Sequence, residues 1–125
     1  MSDGEIRSYR DQKVWQRAMD LAEVCYRTAR RFPRDELYGM VSQIRRAAAS
    51  LPANIAEGHG RNSRGEYIQF LRVAQGSLKE LETHVLLAQR IGLAEEKAVG
   101  AILDQCEILG KMLRALIRSL EAGRK

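Results

Sequence analysis

Residues Gln43 to Phe70, QIRRAAASLPANIAEGHGRNSRGEYIQF, form the most strongly patterned segment of the 125-residue chain. Apolar residues recur at steps of three and four on both sides of a glycine-rich turn, as in helices that bury one face. The apolar stripe before the turn comprises Val41, Ile44, Ala48, Leu51 and Ile55. After the turn the same spacing continues with Tyr67, Phe70 and Leu71. The segment therefore predicts two helices joined by a short connector.

Pro52 lies inside the first of these two helices. Proline removes the hydrogen bond to the carbonyl of Ala48 and clashes with the preceding turn, at a cost of about 3 kcal/mol in an ordinary helix. The apolar stripe resumes in phase at Ile55, so we expect a kinked helix rather than two helices. We expect this helix to stop at Gly58, with the glycine in the left-handed conformation.

The same spacing sets the bounds of the helix after the turn and predicts two further helices, one at each end of the chain. The first helix has Asp11 as its N-cap and ends at about Arg31. The third helix begins at about Arg64, behind a capping box at Ser63 and Glu66, and ends at Ile91, where Gly92 closes it. The fourth helix runs from about Ala94 to Leu120. The second helix starts near Gly39. No alternation of period two persists, so the fold class is all-α, an antiparallel up-down-up-down four-helix bundle over residues 11–121. We expect residues 1–10 to form a flexible N-terminus and residues 122–125 to form a C-terminal tail.

Several apolar positions fall outside the predicted core. On the fourth helix we expect the core face to comprise Ala98, Ile102, Gln105, Leu109, Met112, Leu113, Leu116 and Leu120. The positions left over are Leu21, Val24, Ile68 and Leu86, together with a strip of small residues at Ser42, Ala49, Ala53 and Ala56. These positions favour self-association. The alternative is that scattered exposed apolar side chains are normal.

Arginine dominates the charge of the chain. The net charge is +5, with 16 arginines against five lysines, and the isoelectric point is about 9.6. Because guanidinium groups pair bidentately with phosphate, the candidate nucleic-acid-binding residues are Arg45, Arg46, Arg61, Arg64 and Arg72. A second cluster comprises Arg27, Arg30, Arg31 and Arg34. If the fold brings the two clusters together, they would form a patch that follows a phosphate backbone.

Structural salt bridges are the alternative for the same arginines. Arg46 shares a helix side with Glu57, and Arg45 could meet an acid of the third helix such as Glu82. Arg61 and Arg64 favour solvent or ligand because they lie in a turn. Few aromatic residues accompany the arginines in the sequence, so base stacking on single strands is not expected.

No arrangement of catalytic or metal-binding residues is recognisable. His59 and His84 have no partner at metal-ligand spacing, and Ser63 is explained as a helix cap. Cys25 and Cys106 lie in helical patterns, where we expect reduced, buried thiols. We therefore expect no cofactor and no enzymatic activity. The N-terminus has no apolar signal region and no segment is long enough to span a membrane, which predicts a cytoplasmic protein.

Three segments resemble a known family, and the resemblance runs from about Tyr9 to Leu120. They are KVWQRAMDLA, SQIRRAAASLPANIAEGHGRNSRGEYIQFLRVAQGSLKELETHVLLA and the IG that follows. They resemble the four-helix-bundle proteins encoded in intervening sequences of bacterial 23S rRNA genes, a family that includes accessory proteins of diversity-generating retroelements. Family members often have leucine at the position of Gln12 and an aromatic residue at that of His59.

The resemblance implies a four-helix bundle with a proline-kinked second helix and assembly into a homo-oligomeric ring, a pentamer. It also implies a nucleic-acid-binding partner of a reverse transcriptase, and it brings no catalytic residues. The leading hypothesis is thus a non-enzymatic oligomer that binds RNA or DNA through its arginines. The alternative is an oligomeric protein-interaction scaffold whose arginines form structural salt bridges.

Overall fold

The structure, a computed structural model, describes residues 8–123. Four α-helices make up most of it: α1 Lys13–Arg30, α2 Ser42–His59, α3 Arg64–Arg90 and α4 Glu96–Glu121. The described residues contain no strand. Each helix packs on the next one along the chain and α4 also packs on α1, so the four helices enclose one core. The predicted all-α four-helix bundle is confirmed.

The direction of neighbouring helices follows from which residues meet. Contacts join residues whose numbers rise along one helix and fall along the next. Between α2 and α3 the pairs are Ser50 with Ser77 and Gly58 with Phe70. Between α3 and α4 the pairs are Leu78 with Gly110 and Arg72 with Glu121. Consecutive helices in both pairs therefore run in opposite directions.

Helix α1 begins one residue later than the sequence predicts. Its N-cap is Gln12 rather than Asp11, which belongs to a 3-10 turn at Tyr9–Asp11. Ser8 caps that turn, because its hydroxyl accepts a backbone hydrogen bond at 3.1 Å and its own N–H donates to the Asp11 carboxylate at 3.3 Å. Of the segment predicted to be flexible, residues 8–10 belong to this capped turn, and residues 1–7 lie outside the described part of the chain.

Gln12 connects α1 to α3 in the interior of the bundle. Its side chain is only 5% exposed, and its Nε2 donates a hydrogen bond to the Tyr67 hydroxyl at 2.5 Å. Its Oε1 has no hydrogen-bond partner among the described residues. Burial raises the pKa of Tyr67, while the hydrogen bond from Gln12 acts in the opposite direction. Gln12 thus has a structural role that a leucine would not supply.

Helix α2 begins after a π-helical turn rather than at Gly39. The turn spans Leu37–Val41, and α2 then continues through Pro52 to His59. Proline therefore does not break the helix, and a bend at Pro52 stays a prediction. Next to it, Asn54 Nδ2 donates to the carbonyl oxygen and hydroxyl of Ser50 at 2.8 and 2.9 Å. The Ser50 hydroxyl reaches the buried Ser77 on α3 at 2.7 Å.

The prediction that Gly58 ends α2 in a left-handed conformation is wrong. Gly58 is buried inside the helix, and within residues 8–123 only Gly92 and Gly123 have positive φ. A Cβ atom at Gly58 would lie 2.8 Å from Cβ of Phe70 and 3.0 Å from Cδ1 of Tyr67. Glycine is required here because α2 and α3 approach each other closely, and the helix ends one residue later.

The boundaries of α3 agree with the sequence. Ser63 is the N-cap, because its hydroxyl accepts a hydrogen bond from the Glu66 N–H at 3.1 Å. At the other end Gly92 has φ +85°, and the Leu93 N–H donates to the Ala88 carbonyl at 2.8 Å. This is the hydrogen bond of a Schellman motif, in which glycine accepts the left-handed backbone.

The core face of α4 is rotated relative to the prediction. The buried residues of α4 are Val99, Ile102, Cys106, Leu109, Gly110, Leu113, Ile117 and Leu120. Ala98, Gln105, Met112 and Leu116, which were predicted to be central, are only half-buried. The apolar arc of α4 is wide enough for several orientations, and packing of Leu78 beside Gly110 selects one of them. Leu21, predicted as leftover surface, is fully buried, whereas Leu86 is 49% exposed.

Both cysteines are buried and reduced, as predicted. Burial raises the pKa of Cys25 and of Cys106 to about 12. A buried thiol in an apolar core is therefore protonated and shielded from reagents at neutral pH.

Replacing Gly58 by alanine should destabilise the fold. The added Cβ would collide with Cβ of Phe70, an atom next to the backbone, so the helices must move apart. We expect a loss of about 1–3 kcal/mol in the free energy of unfolding, measured by urea denaturation at fixed protein concentration. Gly76→Ala is the matched control, since nothing lies within 4 Å of its Cβ position. It should stabilise α3 by about 0.5–1 kcal/mol, and equal effects of the two substitutions would contradict the close approach.

The thiols should resist modification in the folded protein. At pH 8 we expect a disulfide reagent such as Ellman's reagent to react with neither Cys25 nor Cys106 until denaturant is added. Because the pKa of about 12 in the folded protein exceeds the 9.0 of an exposed cysteine, the thiols' contribution to stability is complete below pH 9 and is lost as pH rises toward 12. Rapid labelling without denaturant would show that the core opens readily.

Candidate nucleic-acid interface

The five candidate arginines do not form one patch. Arg45 and Arg46 lie in the first turns of α2, whereas Arg61 and Arg64 lie in the connection to α3 and Arg72 lies two turns into α3. At 1.5 Å per residue, the length of α2 places Arg46 about 20 Å from Arg61 along the bundle. The fold therefore divides the candidates between opposite ends of the bundle.

Two of the five arginines are paired with carboxylates. Arg61 Nη2 lies 2.7 Å from Glu57 Oε2, and its guanidinium carbon lies 4.8 Å from the centre of the Phe70 ring. Arg72 Nη2 lies 2.7 Å from Glu121 Oε2 on α4. These exposed pairs are worth little in stability, yet they offset the positive charge at this end. The salt-bridge alternative therefore describes Arg61 and Arg72.

Arg64 remains an unpaired cation at the same end. It is exposed in the first turn of α3, and none of the described acids lies within 4 Å of it. Its guanidinium group lies about 3.9 Å from where a Cβ of Gly123 would be. Arg64 thus lies beside the end of α4, apart from Arg45 and Arg46.

Arg45 and Arg46 do not form the salt bridges considered from the sequence. Glu82 pairs with Lys79 at 3.3 Å, and Glu57 pairs with Arg61. The Arg45 guanidinium instead lies 5.0 Å above the ring of Tyr26 on α1. Its Nε is buried without a hydrogen-bond partner among the described residues. Arg46 is exposed, and its hydrogen bond is a long one, 3.4 Å, to the Ser42 hydroxyl.

The contact of Arg45 with Tyr26 places the start of α2 beside the end of α1. Arg45 and Arg46 therefore join the second arginine cluster of the sequence rather than the arginines of the α2–α3 connection. We call this surface the basic end, comprising Arg30, Arg31, Arg34, Arg45 and Arg46. Within the described residues, none of these five forms an ion pair. Arg27, in the same cluster, is paired with Glu23.

Few acids offset the charge of the basic end. The chain from Thr28 to Arg46 contains the five arginines and two acids, Asp35 and Glu36. Glu36 Oε1 accepts the Met40 N–H at 3.2 Å, and the carboxylate forms no ion pair with a described arginine. Four of the arginines are exposed and Arg45 is half-buried. This segment therefore carries five arginines against two acids, a local excess of positive charge.

The segment between α1 and α2 is held by buried residues at both of its ends. Phe32 is 8% exposed after α1, and Met40 and Val41 are buried just before α2. Between these anchors Tyr38 is 92% exposed and Leu37 is 46% exposed. Sequence reasoning missed Tyr38 because its neighbours in the chain gave no sign of which side chain of the turn would point outward.

Other features of the surface offer less chemistry. Among residues 8–123 no group of three or more His, Cys, Asp or Glu side chains could hold a metal ion. A groove of about 650 Å³ lies between α3 and α4, with Gly76, Lys79, Glu82, Gly110 and Arg114 among its lining. None of the helices in the described part of the chain is long and apolar enough to cross a membrane.

Comparison with known proteins identifies the family. The model of the 23S rRNA-intervening sequence protein family matches residues 10–115. The chain belongs to this family. A crystal structure of a protein of unknown function from the S23 ribosomal protein family of Bacteroides thetaiotaomicron superposes with a TM-score of 0.76 at 24% identity. The match covers 83% of this chain and 97% of that one, and it supports the shared fold. No curated protein matches the chain.

Proposed function

We propose that the protein is a non-enzymatic homo-oligomer whose basic end binds the phosphate backbone of RNA or DNA. The observation that supports this proposal most directly is the basic end itself, with five arginines that no described carboxylate neutralises. Guanidinium groups match the geometry of phosphate oxygens, and each phosphate contact releases counterions. A folded monomer gains nothing from placing these charges together, since their mutual repulsion is unfavourable.

The proposal of self-association rests on surface residues that the single bundle does not bury. Ala49 and Ala53 are exposed on the outer side of α2. Leu86 and Leu87 of α3 and Ile91 directly after it are 45–56% exposed, and the two leucines line a groove of about 580 Å³. Exposed apolar patches of this kind commonly mark contacts between proteins. The resemblance implies a pentameric ring, and association with a reverse transcriptase stays a prediction of that resemblance alone.

A protein-interaction scaffold is the second candidate function. The ion pairs of Arg61 with Glu57 and of Arg72 with Glu121 favour it, because they show arginines used structurally. The grooves along α3 could receive a partner helix. This candidate does not account for the unpaired arginines of the basic end, which is why we place it second.

Removing arginines from the basic end should weaken nucleic-acid binding and its salt dependence together. We expect the Arg30→Ala/Arg34→Ala variant to bind a short labelled duplex more weakly than the wild type. Each phosphate contact contributes about −0.9 to the slope of log K against log salt, so loss of two contacts should make this negative slope shallower by nearly two. Fluorescence anisotropy between about 50 and 200 mM salt measures both quantities.

Arg61→Ala/Arg72→Ala is the matched control. It removes the same formal charge from the opposite end, where both arginines are already paired. We expect it to change the affinity and the slope much less than the first variant. Equal losses from the two variants would contradict the assignment to the basic end, and a wild-type protein that binds neither RNA nor DNA at low salt would refute nucleic-acid binding.

Light scattering should show an assembly. We expect the purified protein to have a mass that is a multiple of the 14.1 kDa chain, and the family resemblance makes that multiple five. The measurement should be made at several micromolar concentrations, because association follows mass action. A clean monomer across this range would refute the homo-oligomer.

A further inference from the structure

Tyr38 is the most exposed large apolar or aromatic side chain among the described residues, at 92%. Neighbouring Leu37 is 46% exposed, whereas Met40, two residues later, is buried. An aromatic ring held almost entirely in water contributes little to folding. Its position in the turn before α2 therefore calls for a reason outside the stability of the single bundle.

The turn that presents Tyr38 is fixed at several points. The Glu36 N–H donates to the Pro33 carbonyl at 2.9 Å, and the Glu36 carboxylate accepts the Met40 N–H at 3.2 Å. Met40 and Val41 then enter the core. Tyr38 consequently projects from an anchored turn, so a ligand that contacts it loses little binding free energy to ordering of the backbone.

Arginines of the basic end lie on both sides of Tyr38 in the chain. Arg34 precedes it by four residues, so their Cα atoms are at most about 13 Å apart. Arg45 follows in the second turn of α2 and covers the ring of Tyr26, which is itself 39% exposed. Two exposed tyrosines thus lie near arginines that form no described ion pair, Tyr26 by its contact with Arg45 and Tyr38 by its position four residues after Arg34.

Aromatic rings among backbone-binding cations are the arrangement by which proteins hold unpaired nucleotides. Bases stack on the rings while the cations follow the phosphates, and the stacking tolerates any base because each has a π face. A base inside a duplex has both faces covered and cannot offer one to Tyr38. The linear sequence concealed this arrangement, since Tyr26 and Tyr38 are separated from Arg45 by a helix end and a connector.

We propose that the basic end binds single-stranded nucleic acid in preference to double-stranded nucleic acid, with an unpaired base stacked on Tyr38. This inference rests on the proposed function, because it specifies the form of nucleic acid that the basic end takes. On the α1 side of the same end, the Arg45 guanidinium covers one face of the Tyr26 ring, so a second aromatic ring there has a cation beside it.

The test compares a labelled single-stranded RNA of mixed sequence with the same RNA annealed to its complement. Wild-type protein should bind the single strand more tightly. Tyr38→Ala should weaken single-strand binding by about 5- to 150-fold, the range found when one stacking residue is truncated, and should leave duplex binding nearly unchanged. Tyr38→Phe should retain wild-type affinity, because the ring rather than the hydroxyl makes the contact.

Leu37→Ala is the matched control, since it removes an exposed apolar side chain without a π face from the same turn. It should bind the single strand as the wild type does. A second readout uses Tyr38→Trp, whose fluorescence should be quenched by the single strand beyond any change in Trp15 of the wild type. Circular dichroism should show that all variants keep their helices, because neither side chain belongs to the core.

Three outcomes would overturn the inference: unchanged single-strand affinity in Tyr38→Ala, an equal loss for the duplex, or a change in oligomeric mass without a change in RNA binding. The last would identify Tyr38 as a contact between proteins. In each of these cases, salt-dependent binding of RNA by the wild-type protein would still support the proposed function. Absence of binding to both RNA forms at low salt would instead refute the proposed function and this inference together.

Discussion

The close approach of α2 to α3 at Gly58 determines one end of the bundle. With no side chain at Gly58, Tyr67 and Phe70 pack directly against the backbone of α2. The same packing holds the Tyr67 hydroxyl where the buried amide of Gln12 donates to it. His59 lies edge-on to the Tyr67 ring, with 5.9 Å between ring centres. The contact at Gly58 is thus linked through Tyr67 to the start of α1. Together these contacts fix α1, α2 and α3 relative to one another.

The two connections that flank α2 explain where arginine remains available. The connection from α2 to α3 spans four residues, 60–63, between the helix bounds. Arg61 therefore lies one turn from Glu57 and pairs with it. The connection from α1 to α2 spans eleven residues, 31–41. Its length separates the arginines from acids on either helix, and Glu36 is used to hold the turn. The connection does contain Asp35 and Glu36, but neither carboxylate lies within 4 Å of an arginine of the basic end among the described residues.

The fold could be predicted from the sequence because helical periodicity is a local property. The stripe from Val41 to Ile55 is buried throughout, and Ser63 and Gly92 act at helix ends as their residue types indicate. Gly58 was misread because a glycine near a helix end suits both a left-handed terminus and a close helix contact. Only the position of α3 decides between them. The wide apolar arc of α4 was ambiguous for the same reason, since its orientation depends on Gly110 meeting Leu78.

The candidate site was less predictable, because grouping residues by sequence distance mixed two surfaces. Arg46 and Arg61 are 15 positions apart, yet α2 carries them to opposite ends. Arg30 and Arg45 are equally far apart, but the contact of Arg45 with Tyr26 brings their helices together. Partners that determine the availability of an arginine, such as Glu121 for Arg72, come from other helices. Whether an arginine is free to bind a ligand therefore depends on the tertiary structure, and spacing in the sequence does not predict it.

Most polar residues at helix contacts and helix ends are accounted for by folding. Ser63 caps a helix, Ser50 and Asn54 bond near Pro52, and Arg72 bridges two helices. The arginines of the basic end and Tyr38 have no comparable role in folding. These arginines repel one another without acidic partners, and the anchored turn beside them exposes an aromatic ring to water. Both features are unfavourable in an isolated bundle. They become favourable together when a strand with negative phosphates and exposed bases is bound, since one ligand then satisfies the charges and covers the ring.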